Sequence, residues 1–252
     1  MDTPKTSSIQ VIDRMTALLD ALTAEDGGAS LKVLAAETGL HPSTAFRILA
    51  ALIEHDFVAR DEQGHYRLGP HLLSLAAKAR VGQDVRAMAR PEMVWLRDQV
   101  GETVNLTVRQ GDEVVYVERL TPNRMMRVEQ VVGSRAPLHV TAVGKLMLGE
   151  IGAAAIRDYA KRTRLPAYTA NTRADLKTLL EDVGACTARG YALDDEEAEL
   201  GVGCIGALVR DAAGAAVAGL SVSAPMERRR PEWVPLVQEA AQRISARLGY
   251  AG

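Results

Sequence analysis

The stretch Thr38–Val58, TGLHPSTAFRILAALIEHDFV, predicts a turn followed by a helix, and it decides how the first seventy residues fold. Gly39 can adopt the left-handed backbone conformation that a tight turn requires, and Pro42 is favoured at the first position of a helix. Apolar residues then recur at helical spacing and predict one buried side. Three polar residues fall on the opposite, exposed side: Ser43, Thr44 and Arg47. A plain core helix has no need of such an arrangement.

The segments around this stretch predict two further helices and a hairpin. Apolar residues at helical spacing over 9–22 predict a first helix, and a shorter one follows over 30–39. Extended segments at 57–60 and 65–68 flank a polar turn and predict a hairpin. We therefore predict a compact winged helix–turn–helix domain over residues 1–70.

A helix–turn–helix protein inserts the start of its second helix into the major groove of DNA. Ser43 and Thr44 can donate to phosphates or base edges, and Arg47 can contact a guanine edge or a phosphate. Lys32 and, on the hairpin, Arg60 complete the candidate DNA contacts. The alternative is a surface helix that Ser43 and Thr44 merely cap, because helix–turn–helix patterns are short and degenerate. The context of three helices and a hairpin favours DNA binding.

Charge gives no separate argument for DNA. The 252 residues carry a formal net charge of −2, and acidic residues outnumber basic ones in the first seventy positions. Any DNA contact must therefore depend on local geometry, with dimerisation adding a second half-site.

Composition restricts the class of protein. A hydrophobic content of 47% with 25% charged residues is typical of a globular protein of one large or two ordinary domains. Cys186 and Cys204 form neither a disulfide framework nor a CxxC zinc motif, which favours a reducing compartment. Neither a signal peptide nor a transmembrane segment is evident. We expect a cytoplasmic protein with no membrane partner, no cofactor and no metal site.

The rest of the chain predicts a linker helix and a second domain. Residues 71–87 form the predicted linker helix, within a mostly helical stretch to about residue 100 that breaks before Pro91. We assign 88–252 to the second domain. Strands are predicted at Thr103–Arg109, Val114–Leu120, Met125–Val131, 204–210 and 216–223. Helices are predicted at 143–150, 152–162, 173–189 and 231–248. This mixture predicts an α+β domain with an antiparallel sheet covered by helices.

Several motifs, in their order and spacing, give the chain a resemblance to the IclR family of bacterial transcriptional regulators over nearly its full length. These are TGLHPSTAFRIL, GHYRLGPHLLSL, GETVNLTV, APLHVTAVGKLML, RGYALDDEEAELGVGCIGALVRD and GLSVSAP. The resemblance implies a winged helix–turn–helix domain, a dimerising linker helix and a GAF-like effector-binding domain. It also implies homodimers, pairing into tetramers, on double-stranded operator DNA. The chain departs from many members at Pro42, where they carry a basic residue.

The segment TAVGKLML predicts a helix start that suits an anionic ligand. Backbone N–H groups at a helix N-terminus, with its positive dipole end, favour a carboxylate. By the resemblance, Ala142 and Val143 form the turn whose amides face the effector. The alternative is a packing turn in which Gly144 permits close approach, and Lys145 is then expected to be solvated.

The resemblance assigns further positions to the effector site. In the family, the first acid of the run after GYAL, the cysteine ten residues on and the two serines of SxS line the pocket. Here these are Asp194, Cys204, Ser221 and Ser223. Met125 and Val128 match apolar positions on the opposite wall. The alternatives are a solvated acidic loop for residues 194–197 and a solvated sheet face for the two serines.

Effector identity does not follow from the resemblance. Ala142 and Val143 stand where some glyoxylate-type sensors have Gly-Ala, and Cys204-Ile205 is followed by Gly-Ala-Leu instead of Ala-Ala-Pro. Asp194 would repel an anionic effector unless it is protonated, accepts from a ligand hydroxyl or anchors a loop amide. This favours a hydroxy- or oxo-acid as a hypothesis. Activation and repression stay open.

Two other functions use residue types that are present. A hydrolase would need Cys204 as nucleophile, His139 as base and Asp194 as orienting group, and a metal-responsive regulator would use the same three as ligands. No catalytic signature or metal-ligand spacing frames these residues. We expect a regulator that is not an enzyme.

Overall fold

The computed structural model describes residues 9–24, 28–80 and 84–252, and the chain divides into two compact units, Met1–Gly82 and Gln83–Gly252. The elements of the first unit, in chain order, are α1 Gln10–Ala24, α2 Leu31–Thr38, α3 Pro42–Glu54, β1 Val58–Arg60, β2 Tyr66–Leu68 and α4 Pro70–Arg80. β1 and β2 pair antiparallel. The three helices and the hairpin confirm the predicted winged helix–turn–helix fold.

Local signals in the sequence set the bounds of the helices in this unit. Ser30 caps α2 by accepting a hydrogen bond from the amide of Val33 at 3.4 Å, and Gly39 ends α2 in the left-handed conformation with φ 66°. The apolar faces of α1, α2 and α3 meet the hairpin in one core. Its fully buried members include Leu18, Leu34, Ala45, Leu49 and Tyr66.

The predicted linker helix corresponds to two described helices. α4 belongs to the first unit, and α5 begins at Val85, where Asp84 caps it by accepting from the amide of Arg86 at 3.0 Å. Residues 81–83, which lie between them, are outside the described residues, so the continuity of a linker over 71–87 stays a prediction.

The second unit contains a six-stranded antiparallel sheet of order β5-β4-β3-β8-β7-β6. Its strands are β3 Thr103–Gln110, β4 Glu113–Leu120, β5 Arg135–Pro137, β6 Ala192–Asp195, β7 Val202–Arg210 and β8 Ala216–Pro225. Its helices are α5 Val85–Val100, α6 Ala142–Thr163, α7 Leu176–Arg189 and α8 Trp233–Arg247. The α+β prediction, with an antiparallel sheet covered by helices, is confirmed.

Strand alternation divides the residues of the sheet between two helical layers. On β7 and β8, Ile205, Ala207, Leu220 and Val222 join a core with α5 and α8. The alternate residues face α6, whose start approaches the sheet closely. A Cβ atom at Gly219 would lie 2.6 Å from the Cβ of Val143, so only glycine permits this approach. The N-terminus of α6 is thereby held against β7 and β8.

The predicted break before Pro91 is wrong, because α5 continues through Pro91. The proline lacks an N–H group and removes one helical hydrogen bond. The helix nevertheless buries Ala89, Met93 and Leu96 in the core beneath the sheet, and this burial outweighs the loss.

The predicted strand Met125–Val131 is also wrong. These residues lie in the connection between β4 and β5, and Arg135–Pro137 takes the edge position beside β4 instead. The apolar side chains of this connection do not face the core, since Met125, Met126 and Val131 are exposed. Polar contacts hold the connection, since the buried carboxylate of Glu102 pairs with both Arg124 and Arg228.

In the described part of the chain, no helix is both long enough and apolar enough to cross a membrane.

Candidate DNA-binding and effector sites

The structure places the predicted reading residues on the outer side of α3. Ser43 and Arg47 are exposed and Thr44 is half-buried, while Ala45, Leu49 and Leu52 form the buried side. Ile48, expected in the core, is only half-buried. The start of α3 is therefore free, within the first unit, to contact DNA.

Ser43 also takes part in the cap of its helix. His41 is the N-cap residue, and its Nδ1 accepts from the amide of Ser43 at 3.3 Å and lies 2.8 Å from the Ser43 hydroxyl. The helix start is thus capped by His41 and not by Ser43 or Thr44, as the alternative supposed. Because Ser43 stays exposed, capping and DNA contact are compatible at this position.

The other two predicted DNA contacts are exposed as well. Lys32 lies in the first turn of α2. Arg60 is held at the hairpin, where its Nε donates to the carbonyl of Gly64 at 3.2 Å and its guanidinium lies 5.2 Å from the centre of the Tyr66 ring. A guanidinium ordered in this way is suited to a phosphate contact.

Phe46, next to Arg47 on α3, has a side chain that is 48% exposed and was not among the predicted DNA contacts. A large apolar side chain on the solvent side of this helix is the signal that could have identified it. Apolar side chains in the major groove contact the methyl group of thymine.

Five of the predicted effector residues line one small cavity of about 80 Å³ in the second unit: Ala142, Val143, Asp194, Cys204 and Ser221. The cavity lies between the start of α6, the sheet and the loop after β6. Among the residues that the structure describes, no lysine or arginine side chain lines it, and the exposed Glu199 lies at its edge. An anion bound there must therefore be stabilised by N–H and O–H dipoles.

The start of α6 supplies such dipoles. Thr141 is the N-cap residue: its hydroxyl accepts from the amide of Gly144 at 3.2 Å, and its carbonyl accepts from Lys145 N at 3.0 Å. Among the described residues, the amides of Ala142 and Val143 have no such partner, as is usual in a first helical turn. Gly144 also has a packing role, since a Cβ there would lie 2.3 Å from the carbonyl oxygen of Leu138. Both interpretations of this turn thus have support.

Asp194 is only 3% exposed, in contrast to the solvated acidic loop considered above. Its carboxylate accepts from the amide of Glu197 at 2.8 Å. Burial is the main reason that the pKa of Asp194 rises to about 6, with a further contribution from the nearby Glu197 carboxylate. Burial likewise raises the pKa of the Tyr116 hydroxyl, which remains a donor at neutral pH.

Lys145, expected to be solvated, is 1% exposed. Its Nζ lies 2.6 Å from Glu197 and 2.7 Å from Asp182 on α7. Burial alone would lower the pKa of Lys145, but the two carboxylates outweigh it and raise the pKa above its ordinary value. The ion pair between Lys145 and Glu197 explains why part of this acidic segment is buried, because Glu197 contacts a buried cation there. The strand β6, which was not predicted, precedes Glu197 in the chain.

Three predicted effector residues do not line the cavity. Ser223 is buried behind it, where its hydroxyl accepts from Asn105 Nδ2 at 3.1 Å and lies 3.2 Å from Cys204 Sγ. Met125 is fully exposed, and the carbonyl of Val128 accepts from the Thr103 hydroxyl at 2.6 Å. Their positions support the sheet and the connection between β4 and β5, and their role as effector contacts stays a prediction.

The cavity also contains residues that the sequence analysis missed: Tyr116, Gln130, Ala136, Thr141, Ala198, Glu199 and Val202. The period-two pattern of β4 could have placed Tyr116 on the same face as Val114. No local signal identifies Gln130. The strand predicted around it does not form, so no alternation pattern places its side chain.

The structure directs His139 away from Cys204. His139 is fully buried, with Nδ1 2.8 Å from the Tyr159 hydroxyl and Nε2 3.1 Å from the carbonyl of Pro166. Burial raises the pKa of the Cys204 thiol, which disfavours the thiolate that a nucleophile needs. Among the described residues, no group of three or more His, Cys, Asp or Glu side chains converges as metal ligands would. Neither alternative gains support from this geometry.

Comparisons with known proteins agree with this architecture. The model of the IclR helix-turn-helix domain matches residues 11–62, and that of the bacterial transcriptional regulator IclR C-terminal domain matches residues 77–246. The HTH-type transcriptional repressor AllR of Escherichia coli K12 is 34% identical over 245 residues, covering 95% of this chain and 90% of that protein.

Solved structures of similar fold include the Agobacterium tumefaciens repressor BlcR, with a TM-score of 0.79, 29% identity and coverage of 98% of this chain and 100% of that chain. An IclR homologue of Microbacterium hydrocarbonoxydans, solved as a complex with 4-hydroxybenzoate, has a TM-score of 0.62 and 24% identity. The match covers 94% of this chain and 98% of that chain.

Proposed function

This chain belongs to the IclR family of bacterial transcriptional regulators and is a DNA-binding regulator, and we propose that it is a repressor whose operator binding responds to a small carboxylic acid in the cavity at the start of α6. The observation that carries the proposal is the cavity itself. The first two amides of α6, the hydroxyl of Ser221 and the carboxyl of Asp194, whose pKa is about 6, line it with the exposed Glu199 at its edge, and no lysine or arginine among the described residues does.

The DNA contacts are assigned to the first unit. Ser43, Thr44 and Arg47 lie at the start of α3, the part of a recognition helix that enters the major groove. Lys32 and Arg60 are placed at phosphates, and Phe46 at a thymine methyl group. Acidic residues outnumber basic ones over the first seventy positions, so a few well-placed contacts, doubled by dimerisation, supply the affinity.

A carboxylate fits the effector cavity better than a cation or an apolar ligand. The amides of Ala142 and Val143 and the hydroxyl of Ser221 are donors that an anion accepts from. Asp194 would oppose the anion if charged, but its raised pKa lets it take up a proton at small cost near neutral pH. The complex with 4-hydroxybenzoate indicates that a protein of this fold binds a carboxylate.

The functional form is a homodimer or a dimer of dimers in the cytoplasm. Exposed apolar side chains on α4, Leu73 at 75% and Leu75 at 43%, offer a surface that a second copy can cover. A dimer also matches the two half-sites of a palindromic operator. The buried contacts of His139 and Cys204 support a regulator rather than an enzyme.

Calorimetry with the full chain and a panel of two- to four-carbon carboxylic acids tests the effector assignment. We expect at least one acid to bind the wild type, and Ser221→Ala to weaken it about tenfold through the loss of one donor to a charged group. Ser74→Ala, an exposed serine of the first unit, is the matched control. Unchanged affinity in Ser221→Ala, or no binding of any acid, would contradict the assignment.

A further inference from the structure

The connection between β4 and β5 contributes Gln130 to the wall of the effector cavity. Its side-chain oxygen Oε1 is buried and has no hydrogen-bond partner among the described residues. An unpaired buried acceptor is unfavourable for folding. In a cavity wall, such an acceptor is a candidate partner for a donor on a bound ligand.

The backbone around Gln130 is held in place by contacts with two strands of the sheet. The guanidinium of Arg119 on β4 donates to the carbonyl of Gln130 and pairs with Glu129 at 2.9 Å. Thr103 on β3 donates to the carbonyl of Val128 at 2.6 Å. These contacts fix the segment to two strands of the sheet and keep the amide of Gln130 at the cavity.

The other polar groups of the cavity define what the rest of the ligand must offer. The open amides of Ala142 and Val143 and the hydroxyl of Ser221 are donors, so they require an acceptor. Gln130 Oε1 requires a donor instead, as do the carboxyl of Glu199 at the edge and that of Asp194 when it is ionised. A volume of about 80 Å³ leaves room for a ligand of only a few atoms, so both groups must lie close together on it.

We propose that Gln130 selects a small 2-hydroxy acid, by accepting a hydrogen bond from the hydroxyl next to the carboxylate that the start of α6 binds. This inference rests on the proposed function, because it assigns the carboxylate to the amides of Ala142 and Val143. Gln130 acts on specificity, since an acid of equal length without the hydroxyl leaves Oε1 unpaired.

The test is calorimetry of the full chain with two matched pairs of acids, glycolate against acetate and lactate against propionate. The wild type is expected to bind the hydroxy acid of each pair about tenfold more tightly, the effect of one hydrogen bond to a buried acceptor. Gln130→Leu should bind both members of a pair equally. Gln99→Leu, an exposed glutamine on α5, is the matched control and should keep the preference. Gln130→Met is measured in parallel, so that a folding defect in one variant leaves the test intact.

The possible failures are distinguishable. Equal affinity of the wild type for both members of each pair overturns the role of Gln130 while leaving a carboxylate effector in place. A preference that persists in Gln130→Leu and Gln130→Met overturns it as well. Glycine is titrated as an additional ligand, and tighter binding of glycine than of glycolate would show that the donor is an ammonium group and overturn the hydroxyl. Absence of binding by all four acids overturns both this inference and the carboxylate assignment.

Discussion

At the scale of single residues, the effector cavity depends on a carboxyl group whose charge changes near neutral pH. Asp194 is buried beside open amides, and its pKa of about 6 lies above the ordinary 3.8. Relative to the unfolded chain, the stabilising contribution of protonated Asp194 is complete below about pH 4. It is lost as the pH rises through 6.

Effector binding should therefore depend on pH in a defined direction. A bound carboxylate favours protonated Asp194, so above about pH 6 binding takes up a proton and affinity falls by up to about tenfold per pH unit. Calorimetry between pH 6 and 8 measures this slope, and Asp194→Asn should flatten it. A wild-type affinity that rises with pH, or a slope unchanged in Asp194→Asn, would contradict the proposed anion contact.

In the DNA-binding unit, Arg47 is the residue whose contribution to operator binding we test. Its side chain is exposed on the outer side of α3, and a base contact by an arginine contributes roughly 1–3 kcal/mol. Arg47→Ala should weaken operator binding by this amount in a gel-shift titration. Arg157→Ala, which removes an exposed charge from α6 in the second unit, is the control. Equal affinities of Arg47→Ala and the wild type would refute the role.

At the scale of elements, α6 and the loop after β6 are joined by a buried ion network. Lys145 follows the cavity-lining amides on α6, and Glu197 donates its amide to Asp194 while its carboxylate binds Lys145. Asp182 adds α7 to the network. The network thus positions both the start of α6 and the carboxyl of Asp194.

Removal of the cation should be costly because it leaves the buried carboxylate of Glu197 without a cation, whereas Asp182 keeps its ion pair with Arg173. Lys145→Met is expected to lower the free energy of unfolding by about 3–5 kcal/mol, measured by urea denaturation. The double variant Lys145→Met/Glu197→Gln should lose less than the sum of the single variants. Lys161→Met, whose side chain on α6 is 79% exposed, serves as the control. Equal stabilities of Lys145→Met and Lys161→Met would exclude the network as a determinant of the fold.

The elements differ in how far their sequence predicts them. α2 and α3 follow from Ser30, Gly39 and Pro42, since capping and turn residues act locally. β6 does not, because Asp194 is buried against the loop that follows the strand, and that loop is held by the ion pair of Glu197 with Lys145, which is distant in the chain. The apolar residues from Met125 to Val131 suggested a strand, but the edge of β4 is taken by residues 135–137. Thus local sequence signals predict an element when its formation does not depend on a residue that is distant in the chain.

At the scale of the whole molecule, the function requires coupling between two separate units. The family resemblance predicted both, and Asp194, Cys204 and Ser221 do line one cavity with the start of α6. The alternation along β4 gives only the face of the sheet for Tyr116, and Gln130 was not predictable as a lining residue, since tertiary packing brings both to the cavity. Effector and operator must affect each other's binding equally, because coupling between two sites is reciprocal.

The most direct test of the account is the operator Kd of the full chain, measured by fluorescence anisotropy with and without a saturating carboxylate that binds the cavity. For the wild type we expect a change of about fivefold or more, with weaker operator binding in the presence of the acid. Compared at an acid concentration equal to the wild-type Kd for the acid, Ser221→Ala should show a smaller response than the wild type, with an unaltered operator Kd without acid. An operator Kd that is the same with and without bound acid, or a full response in Ser221→Ala, would contradict it.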